Sequence, residues 1–426
     1  MRIVVLGAGL MGVTSAHALR RDGHEVTVVE RAPRPASATS HANAGLISAS
    51  RALPWPAPGV WRTLVRGLLG RDAPWRIERA LDPAFWRWGA RLLSLSNPAD
   101  HDRLARAKLA FAAYGHRALR QLIEHTGIDC GYRAEGLVYL CRSESTLAAA
   151  QARSAHVARY GVRLAVITAR QAAQIEPSLE AAVTQGTVIG ASYAPEDGQG
   201  DARRFTEALA HWLARRGVTF RYGTAAKDLR TRGRRITQVV LEDGTALNCD
   251  AVVATLGPYV GAALGAPLSH ALGAVPPIHP VKGLSITVPV RDRARAPRLG
   301  GICEDTLVAW CPIDDGRLLR LTTGAIFNAR DTSWRTTDFE PHRRAAESLW
   351  PGLLDWESPA VERWACLRPM TPSSLPYIGR GNYENLWWNA GQGHIGWTMC
   401  AGSADVLADL IGGRPTRVPL DDFERL

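Results

Sequence analysis

The stretch "RIVVLGAGLMGVTSAHAL" at residues 2–19 limits the fold more than any other part of the chain. A short β-branched run, Arg2 to Gly7, leads into "GAGLMG" and then into a helix carrying Val13, Ala16, Ala18 and Leu19. This is the strand–turn–helix setting of a dinucleotide fingerprint. Gly7 permits the tight turn, Gly9 lets backbone approach a pyrophosphate, and Gly12 lets the helix close on the strand. Phosphates then meet the positive end of the helix. A second strand, "HEVTVVE", ends in Glu30, at the interval expected for the acid that holds a ribose hydroxyl, with Arg31 directly after it. A glutamate there disfavours a 2′-phosphate.

At 426 residues the chain exceeds one ordinary core, so two domains are expected. The 46% hydrophobic and 21% charged content is that of a globular protein rather than a disordered or fibrous one. The seven cysteines are odd in number and scattered, and neither they nor the twelve histidines form a metal-binding spacing. No metal is expected, and a reducing cytoplasm fits best. The start of the chain reads as a buried strand rather than a secretory signal, and no apolar run approaches the roughly 20 residues of a spanning helix. The net charge of +11 raises nucleic acid or an anionic membrane surface as partners, against the plainer reading of an Arg-rich composition.

Beyond Glu30 comes "RAPRPASATSHANAGLIS", a polar, small-residue segment with almost no helical period. Ser40, Asn43, Ala44 and Gly45 are small enough for main chain to line a bound ring, as they are in an ordinary surface loop. From Ala52 to Leu95, Trp55, Trp61, Trp75, Trp86 and Trp88 alternate with Arg62, Arg66, Arg71, Arg76, Arg79, Arg87 and Arg91. Such pieces suit either a cap over the active site, the favoured reading, or an anionic membrane surface. A helix is expected from His101 to about Glu124, a strand at "GLVYLCRS" with a helix behind it, and a helix capped by Asp201. A hairpin at Asp243–Gly244 and a buried strand ending at Gly257 follow. "LSITVPV", "TLVAW" and "RLLRLTTG" read as an antiparallel sheet of another domain. The strand "NLWWNA" then enters "GQGHIG" and a helix, so that Gly391, Gly393, His394, Ile395 and Gly396 offer a second helix N-terminus. Such a terminus suits a group that becomes negative, as the N1/O2 edge of a reduced flavin does.

These residues together with "SHANAGLIS", "PWPAPGV", "HPVKGLSITVPV", "LRPMTPSSLPYIGR" and "NLWWNAGQGHIGWTMCAGSADVLADLIGG" resemble the bacterial D-amino acid dehydrogenase small-subunit family. Those proteins are FAD-dependent oxidoreductases related to D-amino acid oxidase and glycine oxidase. The resemblance runs nearly end to end. It implies an α/β fold: a Rossmann-like FAD-binding domain assembled discontinuously from 1–50, 195–276 and 366–426, and an α+β substrate domain with a mainly antiparallel sheet from 51–194 and 277–365. It implies noncovalent FAD and oxidative deamination of a small D-amino acid by hydride transfer from Cα to flavin N5. The imino acid hydrolyses to a 2-oxo acid and ammonia, and electrons pass to a quinone or other acceptor, with a peripheral contact on the cytoplasmic membrane face in view.

Within the resemblance Arg368 matches the arginine that binds the substrate carboxylate, a task its planar fork suits. Lys282, between Pro-Val and Gly, is expected at the flavin or substrate, or alternatively in edge packing on its strand. Tyr193, Tyr259 and Tyr377 are candidates to close the pocket. The sequence departs from the family in carrying "GQGHIGWT" for "GHGTLGWT", which moves the histidine to position 394, and in placing Cys366 where relatives often have glycine. His41 lies one place out of register with the histidine that binds flavin covalently in dimethylglycine dehydrogenases. A dehydrogenase of a cyclic secondary amine such as cis-4-hydroxy-D-proline shares the same carboxylate clamp. A flavoprotein acting on modified tRNA is the alternative of another class, motivated by the charge; without a recognisable RNA-binding module, no nucleic acid is expected. A non-catalytic flavin-holding subunit is the third.

Overall fold

The computed structural model describes residues 1–62, 75–79, 81–260 and 268–423. Arg66 and Arg71 of the Trp- and Arg-rich segment lie outside the described residues.

A six-stranded sheet takes its strands from four distant parts of the chain, in the order Tyr377–Arg380, Leu386–Ala390, Ala251–Ala254, Arg2–Leu6, Glu25–Glu30, Thr219–Tyr222. All neighbours are parallel except the first pair. The unbroken apolar runs of its middle strands follow from burial on both faces. Ile3 and Val5 pack on one side with the helices Leu10–Arg21, Ala202–Ala214 and Gly396–Ile411. Val4, Leu6 and Val252 pack on the other with Leu229, Ile236 and Val239 of a three-stranded antiparallel sheet. The Asp243–Gly244 turn joins the last two of those strands, Arg235–Leu241 and Ala246–Asn248. Asp201 caps its helix as expected, accepting from the backbone N–H groups of Arg203 and Arg204.

A nine-stranded sheet forms the other half. Its order is Glu362–Met370, His279–Pro289, Leu318–Phe327, Val308–Ile313, Gly301–Cys303, Leu137–Cys141, Gly190–Ala194, Ala165–Thr168, with Trp75–Ile77 joined to Leu318–Phe327. Every pair is antiparallel except Gly301–Cys303 with Leu137–Cys141 and the Trp75–Ile77 strand.

One strand crosses an expected domain limit, and one helix packs across the division. Glu362–Met370 is one continuous strand paired along its length with His279–Pro289, so residue 366 falls inside the large sheet's ladder. The helix Pro98–Thr126, expected from His101 and placed with the cap, shares its core with the helices of the six-stranded sheet. It crosses Gly396–Ile411 so closely that a methyl on Gly115 would stand 2.7 Å from the Thr398 carbonyl oxygen. Among the described residues no helix is long and apolar enough to cross a membrane, and no three potential metal ligands cluster. All seven cysteines are buried thiols.

Candidate functional site

A cavity of about 920 Å³ runs between the two sheets, from the first glycine turn to the strands around Arg368. At its first end the backbone is shaped for close approach. Gly7 has φ +103°, and a methyl there would come within 2.9 Å of the Thr255 carbonyl oxygen. A methyl on Gly12 would overlap the Gly7 carbonyl oxygen, so Gly12 stands behind the wall and sets the strand–helix distance. Gly9 faces the cavity at the helix start, beside the Ser40 hydroxyl that accepts from the Leu10 N–H at 3.0 Å. The Glu30 carboxylate accepts from the Ala8 N–H at 2.7 Å and the Ala32 N–H at 2.9 Å. A carboxylate has acceptor capacity for about four bonds, so two positions remain for ribose hydroxyls. Arg31 lies 4.0 Å over the ring of Tyr259, and both line the cavity with Gly257.

The loop after Glu30 supplies the middle of the wall. Ser40, Asn43 and Ala44 line it, while Gly45, at φ +73°, instead packs against Cys311. His41 is turned away: its Nε2 meets Glu362 Oε1 at 2.7 Å and its ring stacks on Trp364 at 4.0 Å. The second glycine turn closes the far side. Gly391 (φ +83°) is behind the wall, and Gly393, His394, Ile395 and Gly396 line the cavity at the start of the last long helix. No acidic residue occupies that helix's first turn. The His394 ring stacks on Trp55 at 5.5 Å, and its Nδ1 is covered without a hydrogen-bond partner. Burial, then the charges of Lys108 and Arg368, push the imidazole well below its ordinary pKa, so it is neutral.

Arg368 also lines the cavity. Its Nη1 donates to the Gly324 carbonyl oxygen at 2.6 Å, and among the described residues no carboxylate pairs with it. Room for the guanidinium comes from Gly283 on the neighbouring strand, where a methyl would overlap Nη2. Burial lowers its pKa, although a guanidinium stays charged across any working pH. A sheltered cation with unused donors facing a cavity is built to receive an anion. Cys366 lines the wall two residues before it, its thiol raised by burial.

Lys282 does not join Arg368. Its Nζ donates to Asp331 Oδ1 at 3.2 Å and to the Ser333 carbonyl oxygen at 3.2 Å, with Glu78 at 4.0 Å, and it does not line the cavity. Gly283, Leu284 and Ser285 of the same strand do, while the Lys282 side chain is held by Asp331 and Ser333 instead. Tyr193 donates to the Glu135 carbonyl oxygen outside the cavity, and Tyr377 is buried in the six-stranded sheet; Tyr259 alone of the three lines the wall.

Sequence reasoning missed four contributors. Gln392 lines the cavity and donates to Asn389 Oδ1 at 2.6 Å. Lys108, 1% exposed, sits behind Leu53, whose carbonyl oxygen it meets at 3.3 Å, and it has no carboxylate partner among the described residues. Burial brings its amine down to about 7. A lysine on an otherwise small and apolar helix face is the one signal that would have found it. Arg51 and Arg153 line the cavity from separate elements, with no signal in their spacing.

The glycine cradle, the Glu30 acceptor and the basic far end suit an elongated dinucleotide cofactor such as FAD, whose reactive ring would be held between the 40–48 loop and the 392–396 turn. Comparisons with known proteins agree. The family model described as FAD dependent oxidoreductase matches residues 2–410. The chain is 36% identical to D-amino acid dehydrogenase 2 of Mesorhizobium japonicum over 98% of each chain. It is 40% identical to a D-amino acid dehydrogenase of Cereibacter sphaeroides, over 99% of this chain and 94% of that one. Glycine oxidase from Geobacillus kaustophilus shares the fold with a TM-score of 0.73 at 22% identity, over 99% of this chain and 98% of that one. With the cofactor cradle and a match spanning almost the whole length, the chain belongs to the family of FAD dependent oxidoreductases.

Proposed function

We propose that the protein is an FAD-dependent D-amino acid dehydrogenase that oxidatively deaminates D-amino acids to 2-oxo acids and ammonia. The observation that carries this reading is Arg368, an unpaired, sheltered guanidinium at the end of the cavity away from the phosphate turn. The relatives at 36% and 40% identity bearing that name support it.

FAD, when bound, supplies the two-electron acceptor for the substrate's Cα–H bond. Arg368 binds and orients the α-carboxylate, and the single bond to Gly324 together with the space above Gly283 fixes the plane of the fork. The surrounding cations lower the affinity of a substrate ammonium for its proton, which favours the free amine whose lone pair assists loss of the Cα hydrogen. His394 is a poor base in that field; it stays neutral, with its Nδ1 covered rather than open to the cavity. The apolar walls, including Trp55, Phe327 and Trp397, keep bulk water from the reacting bond.

Electrons leaving the flavin pass to a quinone or a comparable acceptor, and the protein works peripherally at the cytoplasmic membrane face. Exposed Trp61, Leu81, Trp86 and Trp334 support a surface contact of that kind, and Trp334 also lines the cavity. The discontinuous division into FAD-binding and substrate domains, with Arg368 and the two glycine turns as site residues, belongs to the same reading.

Anaerobic bleaching of the bound flavin tests it. D-amino acids should reduce the flavin rapidly while their L-forms, glycine, sarcosine and cis-4-hydroxy-D-proline do so poorly. Selective bleaching by the cyclic amine would reassign the substrate, and a yellow protein reduced by none of them would overturn the reading.

A further inference from the structure

The cavity wall is strongly unbalanced in charge. Its charged side chains are five arginines (Arg31, Arg51, Arg76, Arg153 and Arg368) and one carboxylate, Glu30, at the ribose end. Arg76 is near the carboxylates of Glu78 and Asp338, and Arg31 stacks on Tyr259. Arg368 awaits the α-carboxylate. Arg51 and Arg153 remain, and both lean on a single group: Arg51 Nη1 meets Glu304 Oε1 at 2.7 Å and Arg153 Nη1 meets the same oxygen at 2.6 Å. Glu304 is 6% exposed, against 19% and 24% for the two guanidiniums, so the carboxylate lies behind and the cations face the cavity. Two positive charges against one negative leave the cluster with a surplus of one. A guanidinium has five N–H donors, and each of these spends one on Glu304.

The cluster is held in place rather than draped on a surface. Arg51 ends the short turn Ala49–Arg51, whose Ser50 N–H and hydroxyl both donate to the buried Asp197 carboxylate, the former at 3.2 Å. Tyr139 donates to the same carboxylate at 2.9 Å and lies 5.2 Å under the Arg51 guanidinium. Arg153 comes from the helix Glu144–Ala158, and Glu304 is tied to the large sheet by its N–H donating to the Leu140 carbonyl oxygen at 2.9 Å. The surrounding wall is Ile302, Leu307, Ala309 and Thr322, on the large-sheet side of the cavity. Arg51, Arg368 and His394 line the same cavity.

We infer that Arg51 and Arg153, braced by Glu304, form a second anion-recognition point, and that the preferred substrates are D-amino acids bearing a side-chain carboxylate. This rests on the function proposed above, with Arg368 taking the α-carboxylate. A side-chain carboxylate entering between the two guanidiniums is offered unused donors, a net positive charge and a sheltered setting. A neutral amide of the same shape is offered donors only.

The test compares D-glutamate with D-glutamine, and D-aspartate with D-asparagine, on the FAD-loaded wild-type protein by flavin reduction and by kcat/KM at low and high salt. The acids should exceed their amides by tenfold or more, with the margin shrinking as salt rises. In Arg153→Met the ratio of acid to amide should fall at least tenfold. A third reading uses no turnover: glutarate should perturb the flavin absorption of the wild-type protein at lower concentration than valerate does, so the inference stays testable if the variant fails to fold. Amides oxidised as well as acids, or a variant that loses both equally, would overturn the inference and leave the proposed function standing. Weakened FAD binding in Arg153→Met with an unchanged ratio would overturn it too, because the pair would then serve a cofactor phosphate. If no D-amino acid reduces the flavin, the proposed function falls first and this inference with it.

Discussion

Arg368 and Lys282 sit on adjacent, paired strands of the large sheet, yet they have opposite fates. Lys282 is 3% exposed, reaches Asp331 and Glu78, and faces away from the cavity. Arg368 has one carbonyl partner and no carboxylate among the described residues, and it faces in. Neither identity nor burial separates a structural cation from a binding one; what separates them is whether the protein supplies the counter-charge. Where it does, the charge is spent on the fold. Where it does not, the fold carries a cost that a ligand removes.

The largest way to break this contrast is to remove the unpaired cation. Arg368→Met should lower kcat/KM for D-amino acids by about 10³-fold, near 4 kcal/mol, with FAD still bound. Steady-state kinetics on the yellow variant would show it, and a loss under tenfold would place the carboxylate elsewhere. Displacing the guanidinium without deleting it comes next. Gly283→Ala puts a methyl where Nη2 now lies, and should cost roughly 10²-fold, mostly in KM, with Arg368 intact.

Lys108 sharpens the comparison, because it too lacks a carboxylate but can shed its proton as an arginine cannot. Its folded pKa, about 7, is below the ordinary 10.5, so the unfolded chain binds more protons between those values. Stability therefore rises with pH across that window. Lys108→Met should raise Tm by roughly 5 °C at pH 7 and flatten the slope between pH 7 and 10, which calorimetry would record. The smallest effect belongs to the paired cation. Asp331 is 55% exposed and can turn to water, so Lys282→Met should cost only about 1 kcal/mol. Its kcat/KM should stay within about twofold; a tenfold loss would return Lys282 to the reaction.

The same contrast explains what could be read from sequence. Gly7, Gly9, Gly12 and Glu30 were legible because the constraint is local: a strand, a turn and a helix within thirty residues dictate which positions tolerate a side chain. The strands from 279 to 327 were legible for the same reason, through alternation and turn residues. Arg368 came through resemblance, and its unpaired state could not have been foreseen, since pairing depends on what the fold brings near. Lys282 was left open between the cavity and packing on its strand, because one residue of phase along a strand separates the two faces. Arg51, Arg153 and Glu304 are far apart along the chain and meet only because a short turn, a helix and a strand end converge on one wall. How far the helix Pro98–Thr126 and the strand Glu362–Met370 reach across the proposed division depends on long-range packing that residue pattern does not carry.

The strand Leu386–Ala390 sits inside the nucleotide sheet, paired with Ala251–Ala254, and leads into the helix that walls the cavity opposite the first glycine turn. During synthesis the fingerprint emerges first, but its sheet stays two strands short, since Tyr377–Arg380 pairs only with Leu386–Ala390, and its cavity lacks a side until the last tenth of the chain has appeared. A ribosome-bound chain halted before residue 386 should therefore be colourless however much FAD surrounds it. The protein would acquire its flavin as a late checkpoint of manufacture, after the large sheet is already available to receive it.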